Sequence, residues 1–218
     1  MNRSNHISKA KRLVIKIGSS LLIDHENSSI NNAWLTKLTS DINFLHKSGK
    51  EIILVSSGAI GLGRKYLGFR NNNLKLEESQ AAAAAGQSML IHAYKEKLER
   101  FNIKIAQILL TLDDTEERRK YLNAKNTFDT VLNLKAIPIV NENDTVATTE
   151  IRFGDNDTLS ARVATMMSSD CLILLSNVEG LYADGPKFSE NSKILKTVTK
   201  ITPDIEKLAG VSSNYGVG

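Results

Sequence analysis

Hydrophobic and polar positions fall along this chain in blocks that alternate between two periods. Short apolar runs stand at Arg12 to Ile17, Glu51 to Val55, Ile103 to Leu110, Ile137 to Val140 and Leu172 to Leu175. Each has the length and continuity of a strand buried on both faces. Between them the apolar residues recur at helical spacing. Trp34, Leu38, Ile42 and Leu45 mark a helix over Asn31 to Lys47, stopped by Gly49. An alanine-rich helix is predicted over Ser79 to Phe101, after a polar stretch from Arg70 to Glu78. A further helix is read over Thr115 to Asn133, where Glu116 and Glu117 suit the positive end of its dipole. Thr158 to Met167 follows, carrying Leu159, Val163 and Met166. A weaker strand near Ile194 to Val198 and a short helix from Pro203 to Leu208 complete the pattern. Alternating strands and helices predict an α/β fold, a three-layer sandwich around a central, mostly parallel sheet.

The polar residues collect where the strands end. The stretch Ala136 to Ser160 is the densest case: Asn141-Glu142-Asn143-Asp144 follows one strand, and Gly154-Asp155-Asn156-Asp157 opens a helix. A β-excursion is expected between them, over Thr145 to Phe153. Gly18-Ser19-Ser20, Ser56-Ser57-Gly58 and Ser176-Asn177 end three other strands. Any one of these clusters is an ordinary turn. In an open α/β sheet, however, ligands gather beyond the carboxyl ends of the strands, and four such clusters share that rim. Glycine there lets a phosphate approach the backbone, and helix-start amides favour an anion. Gly58 to Gly63 has the glycine spacing of a P-loop, but Arg64-Lys65 stands where Lys and then Ser or Thr are needed. Its glycines are read instead as giving a small acceptor close approach to the backbone.

Composition narrows the chemistry. The 218 residues, 41% hydrophobic and 24% charged, are enough for one sizeable core or two lobes. The net charge of +4 is spread among acids, as in Lys95-Glu96-Lys97-Leu98-Glu99-Arg100. That alternation describes a solvated helix face and a taste for small anions rather than a nucleic-acid patch. Cys171 lies in an apolar run and is expected as a small buried hydrophobe. One cysteine makes no disulfide framework, which fits a cytoplasmic setting. Met1 to Lys11 has no signal-like apolar core, and no run reaches membrane-spanning length. The four histidines are scattered and show no zinc-ligand spacing. A lysine at a strand end, phosphate-suited loops and several carboxylates remain. Those parts fit phosphoryl transfer, where catalysis is positioning and charge neutralisation. A carboxylate acceptor with pKa about 4 is already ionised and needs no general base.

Six segments carry a resemblance. Val14-Ile-Lys-Ile-Gly-Ser-Ser20, Val55-Ser-Ser-Gly-Ala-Ile60, Gln80-Ala-Ala-Ala-Ala-Ala-Gly-Gln87, Val140-Asn-Glu-Asn-Asp-Thr-Val146, Phe153-Gly-Asp-Asn-Asp-Thr-Leu-Ser-Ala161 and Leu174 to Tyr182 match in order and spacing. Together they resemble the glutamate 5-kinase (γ-glutamyl kinase) family of the amino-acid kinase superfamily. The resemblance implies phosphorylation of the γ-carboxylate of L-glutamate by ATP with Mg2+, the first step towards proline. Carried over by position, it makes Lys16 and Asp157 catalytic, with Lys16 neutralising the transferring phosphoryl and Asp157 orienting the catalytic lysines. It assigns glutamate to Ser57, Gly58, Asn141, Asp144, Asp155 and Asn156, with Asp144 suited to the ammonium group. It assigns ATP to Lys16, Gly18, Ser19, Ser176 and Asn177, although Asn177 replaces an acid found in some members. No protein metal ligand is implied.

The same resemblance implies an amino-acid-binding lobe over about 10–165 and a nucleotide-binding lobe over about 166–218. The loop Thr145 to Arg152 would lie over glutamate and answer to proline as feedback inhibitor. Family members continue with a Gly-Thr-Gly-Gly-Met-x-Thr-Lys segment bearing a second lysine. The chain stops at Gly218 before it, so the nucleotide lobe is expected to be incomplete and truncated, with no C-terminal RNA-modification-type domain. A homo-oligomer, dimer or tetramer, is expected, with neither nucleic acid nor membrane as partner. Two other readings stay open: a non-catalytic amino-acid-binding or regulatory homologue, and a kinase of N-acetylglutamate or aspartate. Asp144 separates the last from the first, since only a free amino group wants a negative partner.

Overall fold

The apolar runs pair side by side into one sheet, whose central strands are covered on both faces by helices. The computed structural model describes residues 4–24, 29–71, 73–147, 156–183 and 193–208. In chain order these hold α1 (Ser4–Lys9), β1 (Arg12–Ile17), α2 (Ser19–Leu22), β2 (Ile23–Asp24), β3 (Ser29–Ile30), α3 (Asn32–Lys47) and β4 (Glu51–Ser56). Then come α4 (Ala59–Tyr66), α5 (Leu76–Glu99), β5 (Ile105–Leu110), α6 (Leu112–Glu116), α7 (Arg118–Asn133) and β6 (Ile137–Glu142). Last are α8 (Asn156–Met166), β7 (Cys171–Leu175) and α9 (Pro203–Leu208). The described residues divide into two compact units, one ending at Leu175 and one beginning at Ser176. Within the second lie an isolated antiparallel bridge, Tyr182 to Ile194, and α9.

In the first unit five strands run in the order β5-β6-β4-β1-β7, every pair parallel. Alternation along the pleat sorts the core into two layers. Leu13, Ile15, Ile17, Ile52, Leu54, Ile137 and Ile139 face Leu35, Leu38 and Ile42 of α3 and Leu90, Tyr94 and Leu98 of α5. Val14, Ile53, Val55 and Val140 face Phe128 and Leu132 of α7 and Leu159, Val163 and Met166 of α8. The result is the α/β/α sandwich expected from the alternating pattern. β2 and β3 form a separate two-stranded antiparallel ribbon.

The amino-terminal edge of the sheet is held by charge. The Arg12 guanidinium donates to Glu51 (2.7 Å) and to the Met167 carbonyl (2.7 Å), and lies 3.5 Å from Asp129. Asp170 accepts from the backbone N–H groups of Lys11 (2.8 Å) and Arg12 (2.9 Å). Those two donors are the main reason its carboxyl is held below its ordinary pKa.

Several elements differ from expectation. The helix read over Thr115 to Asn133 is two helices, because Glu117 has extended backbone (φ −73°, ψ 119°). Thr111 starts the first of them by donating through N–H and Oγ1 to Asp114. Glu116 therefore ends α6, where it pairs with Arg162 at 2.9 Å, and Glu117 caps α7; neither occupies the first turn of one long helix. α5 begins at Leu76, the Lys75 N–H donating to Glu78 at 2.8 Å.

The glycine-rich segment after β4 is a helix. A Cβ on Gly63 would collide with the Ala82 carbonyl, and one on Gly86 with the Ala59 carbonyl. Gly63 thus lets α4 lie against α5 and does not admit a small acceptor. β7 is less buried than expected: Leu174 is 51% exposed and Cys171 half-buried, since among the described residues β7 pairs only with β1. In place of a strand over Ile194 to Val198 there is the single bridge at Ile194. Asp144 to Val146 form a turn, and the remainder of the expected β-excursion, from 148 onward, lies outside the described residues. Among the described residues no helix is long and apolar enough to cross a membrane.

Candidate active site

A parallel sheet delivers the ends of β1, β4 and β6 to one rim, and the register sets which side chains meet there. Lys16 of β1 lies level with Val55 of β4, and Val55 level with Val140 of β6. Lys16 shares the pleat face of Val14, so its stem rises over the apolar layer beneath α8 while its ammonium reaches the rim. There Nζ lies 2.7 Å from Oδ1 of Asp157, in the first turn of α8. The lysine side chain is 12% exposed and the aspartate 53%. The ammonium is therefore mostly screened from water, while the carboxylate that orients it stays open on one side. The helix start also favours a carboxylate at that position.

Asn156, the residue before Asp157, is buried and binds three segments together. Its Nδ2 donates to the Ser56 carbonyl (3.0 Å), Ser57 Oγ (2.8 Å) and Asn141 Oδ1 (2.8 Å). Asn141 Oδ1 also accepts from the Glu142 N–H at 2.9 Å. An amide nitrogen has only donors, so these contacts fix the polarity of the cluster. Ser57 Oγ accepts from Asn156, which leaves the Ser57 O–H to be donated elsewhere. Asn141 Oδ1 is used twice, which leaves its own amide N–H groups. The rim thus presents neutral donors beside an ammonium paired with the Asp157 carboxylate, and the donors and the ammonium suit an anionic ligand.

Around this cluster the backbone is held close. Gly18 follows β1 and donates from N–H to the Leu175 carbonyl at 3.1 Å, bridging the ends of β1 and β7. Ser19 opens α2 and is half-buried. The Ser57 N–H donates to the Ile17 carbonyl at 3.2 Å. Gly58 has φ +107°, and a Cβ on it would meet Ile23 Cγ1 at 2.9 Å, so this turn requires glycine. Asp144 is half-buried in the turn after β6 and has a partner of its own.

Lys16, Gly18, Ser57, Gly58, Asn141, Asn156 and Asp157 therefore stand at the rim of the first unit. Asp155 lies outside the described residues. Ser176 and Asn177 open the second unit, both exposed, with the Val178 N–H donating to Ser176 Oγ at 3.4 Å. Sequence reasoning placed Ser56 in a strand-end cluster without giving it a role, and passed over Tyr94; their hydroxyls lie 3.0 Å apart under the rim. The Ser-Ser doublet could have suggested a role for the first. Tyr94 reads as one more core residue on the apolar stripe Leu90, Tyr94, Leu98.

For a nucleotide phosphate the donor set is suitable. Gly18 lies beside the ammonium: a Cβ on it would stand 3.9 Å from Lys16 Nζ. Among the described residues no group of three His, Cys, Asp or Glu side chains is arranged to hold a metal ion. Two concavities lie elsewhere in the first unit, one of about 750 Å³ along α5 and β5 and one of about 190 Å³ near His46 and Lys135. Neither is lined by a residue of the rim.

Comparison with known proteins agrees with this placement of elements. The model of the amino acid kinase family matches residues 11–213. Glutamate 5-kinase of Brucella anthropi is 55% identical over 204 residues, which are 94% of this chain and 54% of that protein. Glutamate 5-kinase 1 of Mesorhizobium japonicum is 54% identical over 208 residues, 95% of this chain and 55% of that protein. The chain spans about half the length of the curated relatives it matches. Among solved structures, UMP kinase from Bacillus anthracis superposes with a TM-score of 0.56 at 19% identity, covering 85% of this chain and 72% of that one. At that identity the likeness is one of fold alone. With its sheet order, its rim lysine and a family match along nearly its whole length, the chain belongs to the amino acid kinase family.

Proposed function

We propose that this chain carries the glutamate site and one phosphoryl-binding lysine of a glutamate 5-kinase, which transfers the γ-phosphoryl group of ATP to the γ-carboxylate of L-glutamate. The observation that carries the reading is the Lys16–Asp157 pair beside the donor cluster built on Asn156. The names of the relatives that share more than half of its residues support it. A γ-carboxylate oxygen forms the new bond to phosphorus as the bond to ADP breaks, and no proton has to move. That fits a rim with a cation and neutral donors and without a histidine base.

In this account Ser57, Gly58, Asn141, Asp144, Asp155 and Asn156 hold glutamate, Asp144 meeting its ammonium group. Lys16 neutralises charge on the transferring phosphoryl, held in place by Asp157. Lys16, Gly18, Ser19, Ser176 and Asn177 serve ATP. Bound with Mg2+, ATP supplies the phosphoryl group and the metal offsets charge on its terminal oxygens. About 10–165 form the amino-acid lobe and about 166–218 part of the nucleotide lobe. A cytoplasmic homo-oligomer inhibited by proline through Thr145 to Arg152 belongs to the same proposal.

Trapping the acyl phosphate as hydroxamate, with the full-length protein, ATP and Mg2+, tests the activity. Product should form with L-glutamate and not with N-acetylglutamate or L-aspartate. Product with N-acetylglutamate and none with glutamate would move the assignment to another carboxylate.

A further inference from the structure

The core of α5 contains a hydroxyl that apolar packing alone does not require. Leu90, Tyr94 and Leu98 form one fully buried stripe against the sheet, and a phenylalanine would fill the middle position as well. A buried tyrosine O–H needs a partner, and here it is Ser56 Oγ at 3.0 Å, itself completely buried. Ser56 Oγ in turn lies 3.4 Å from the Ser57 carbonyl, which can only accept. The hydrogens are thereby ordered: Tyr94 donates to Ser56 Oγ, and Ser56 donates to the Ser57 carbonyl. From the other side of the sheet, the Ser56 carbonyl accepts from Asn156. Ser56 is thus gripped from both helical layers, immediately before the residue whose hydroxyl faces the rim. Among the described residues, Tyr94 makes the one side-chain hydrogen bond from α5 to this turn.

We infer that Tyr94 is a positioning residue for substrate binding, its buried O–H acting through Ser56 to fix the Ser57–Gly58 turn against the amino-acid substrate. The inference rests on the glutamate-site reading above. Burial, partly opposed by the Ser56 hydrogen bond, pushes the phenol above its usual range, so the group stays protonated at neutral pH. The role therefore differs from that of a titrating catalyst.

The test is Tyr94→Phe in the full-length protein, which removes one oxygen and keeps the ring. Hydroxamate kinetics should show the KM for glutamate rising roughly three- to tenfold, with kcat and the KM for ATP changed less than about twofold. Ser56→Ala interrupts the relay from its other end and should give the same selective rise. Adding Tyr94→Phe to Ser56→Ala should then produce no further change. An unaltered glutamate KM in Tyr94→Phe, with a raised one in Ser57→Ala, would overturn the positioning role and leave the glutamate site standing. Unaltered values in both would remove the glutamate-site reading itself. A fall in kcat together with both KM values rising and a lowered Tm would make Tyr94 a packing residue only.

Discussion

Asn156 has two amide hydrogens facing three acceptors, so its nitrogen is shared among Ser56, Ser57 and Asn141. A carboxylate at the same place could donate to none of them and would set negative charge against three oxygens. The amide is therefore required by its neighbours, whatever ligand occupies the rim. At the opposite end of β1, Asp170 shows the reverse case, an ionised acceptor satisfied by two backbone N–H groups. Its pKa is depressed on folding, so its contribution to stability is complete above its ordinary value of about 4 and is lost as pH falls through the depressed one. Asp170→Asn should lower Tm at pH 7. The gap from the parent should shrink as pH drops below about 4. Thermal melts between neutral and strongly acid pH check this, and a gap that widens in acid would contradict it.

Among the elements, the contact of α4 with α5 depends most on sequence detail. Gly63 and Gly86 each sit where a methyl group would strike a carbonyl of the other helix. Gly63→Ala should therefore cost about 1–3 kcal/mol or more by forcing the helices apart. Gly61 has nothing near its missing Cβ, so Gly61→Ala should stabilise α4 by up to about 1 kcal/mol through helix propensity. Denaturant titration of the pair gives the comparison; equal effects of the two substitutions would refute the packing account.

The same helix shows where sequence reading fails. Three glycines in Gly58 to Gly63 argue against a helix on propensity alone, and only the partner helix reveals why Gly63 is there. The break at Glu117 is equally hidden, having neither glycine nor proline to mark it. Strand ends were legible because an apolar run buried on both faces must stop where the chain turns polar. That rule places β1, β4 and β6 to within one or two residues.

At the scale of the molecule, one parallel sheet has two ends with different duties. The amino-terminal edge is closed by Arg12, Glu51, Asp129 and Asp170. The carboxyl edge carries Lys16, Ser57, Asn141, Asn156 and Asp157. Strand order explains the division: β1 lies between β4 and β7, so the chain leaves its two sides by different routes, and it is beyond the carboxyl ends of such strands that ligands gather in open α/β sheets. Which side chains reach this rim could be read from apolar runs and polar stops. That Asp157 would meet Lys16, and Asn156 bridge Ser57 to Asn141, could not, because register between strands far apart in sequence is set by packing across the whole sheet.

The central claim is that a carboxylate held at this rim receives a phosphoryl group whose charge Lys16 neutralises. Lys16→Ala in the full-length protein, assayed by hydroxamate formation, tests it most directly. The account predicts kcat lower by about 10²–10³, as for loss of one transition-state donor, with the KM for glutamate within about threefold and a folded protein by thermal melt. An unchanged kcat, or a loss confined to the KM for glutamate, would contradict it.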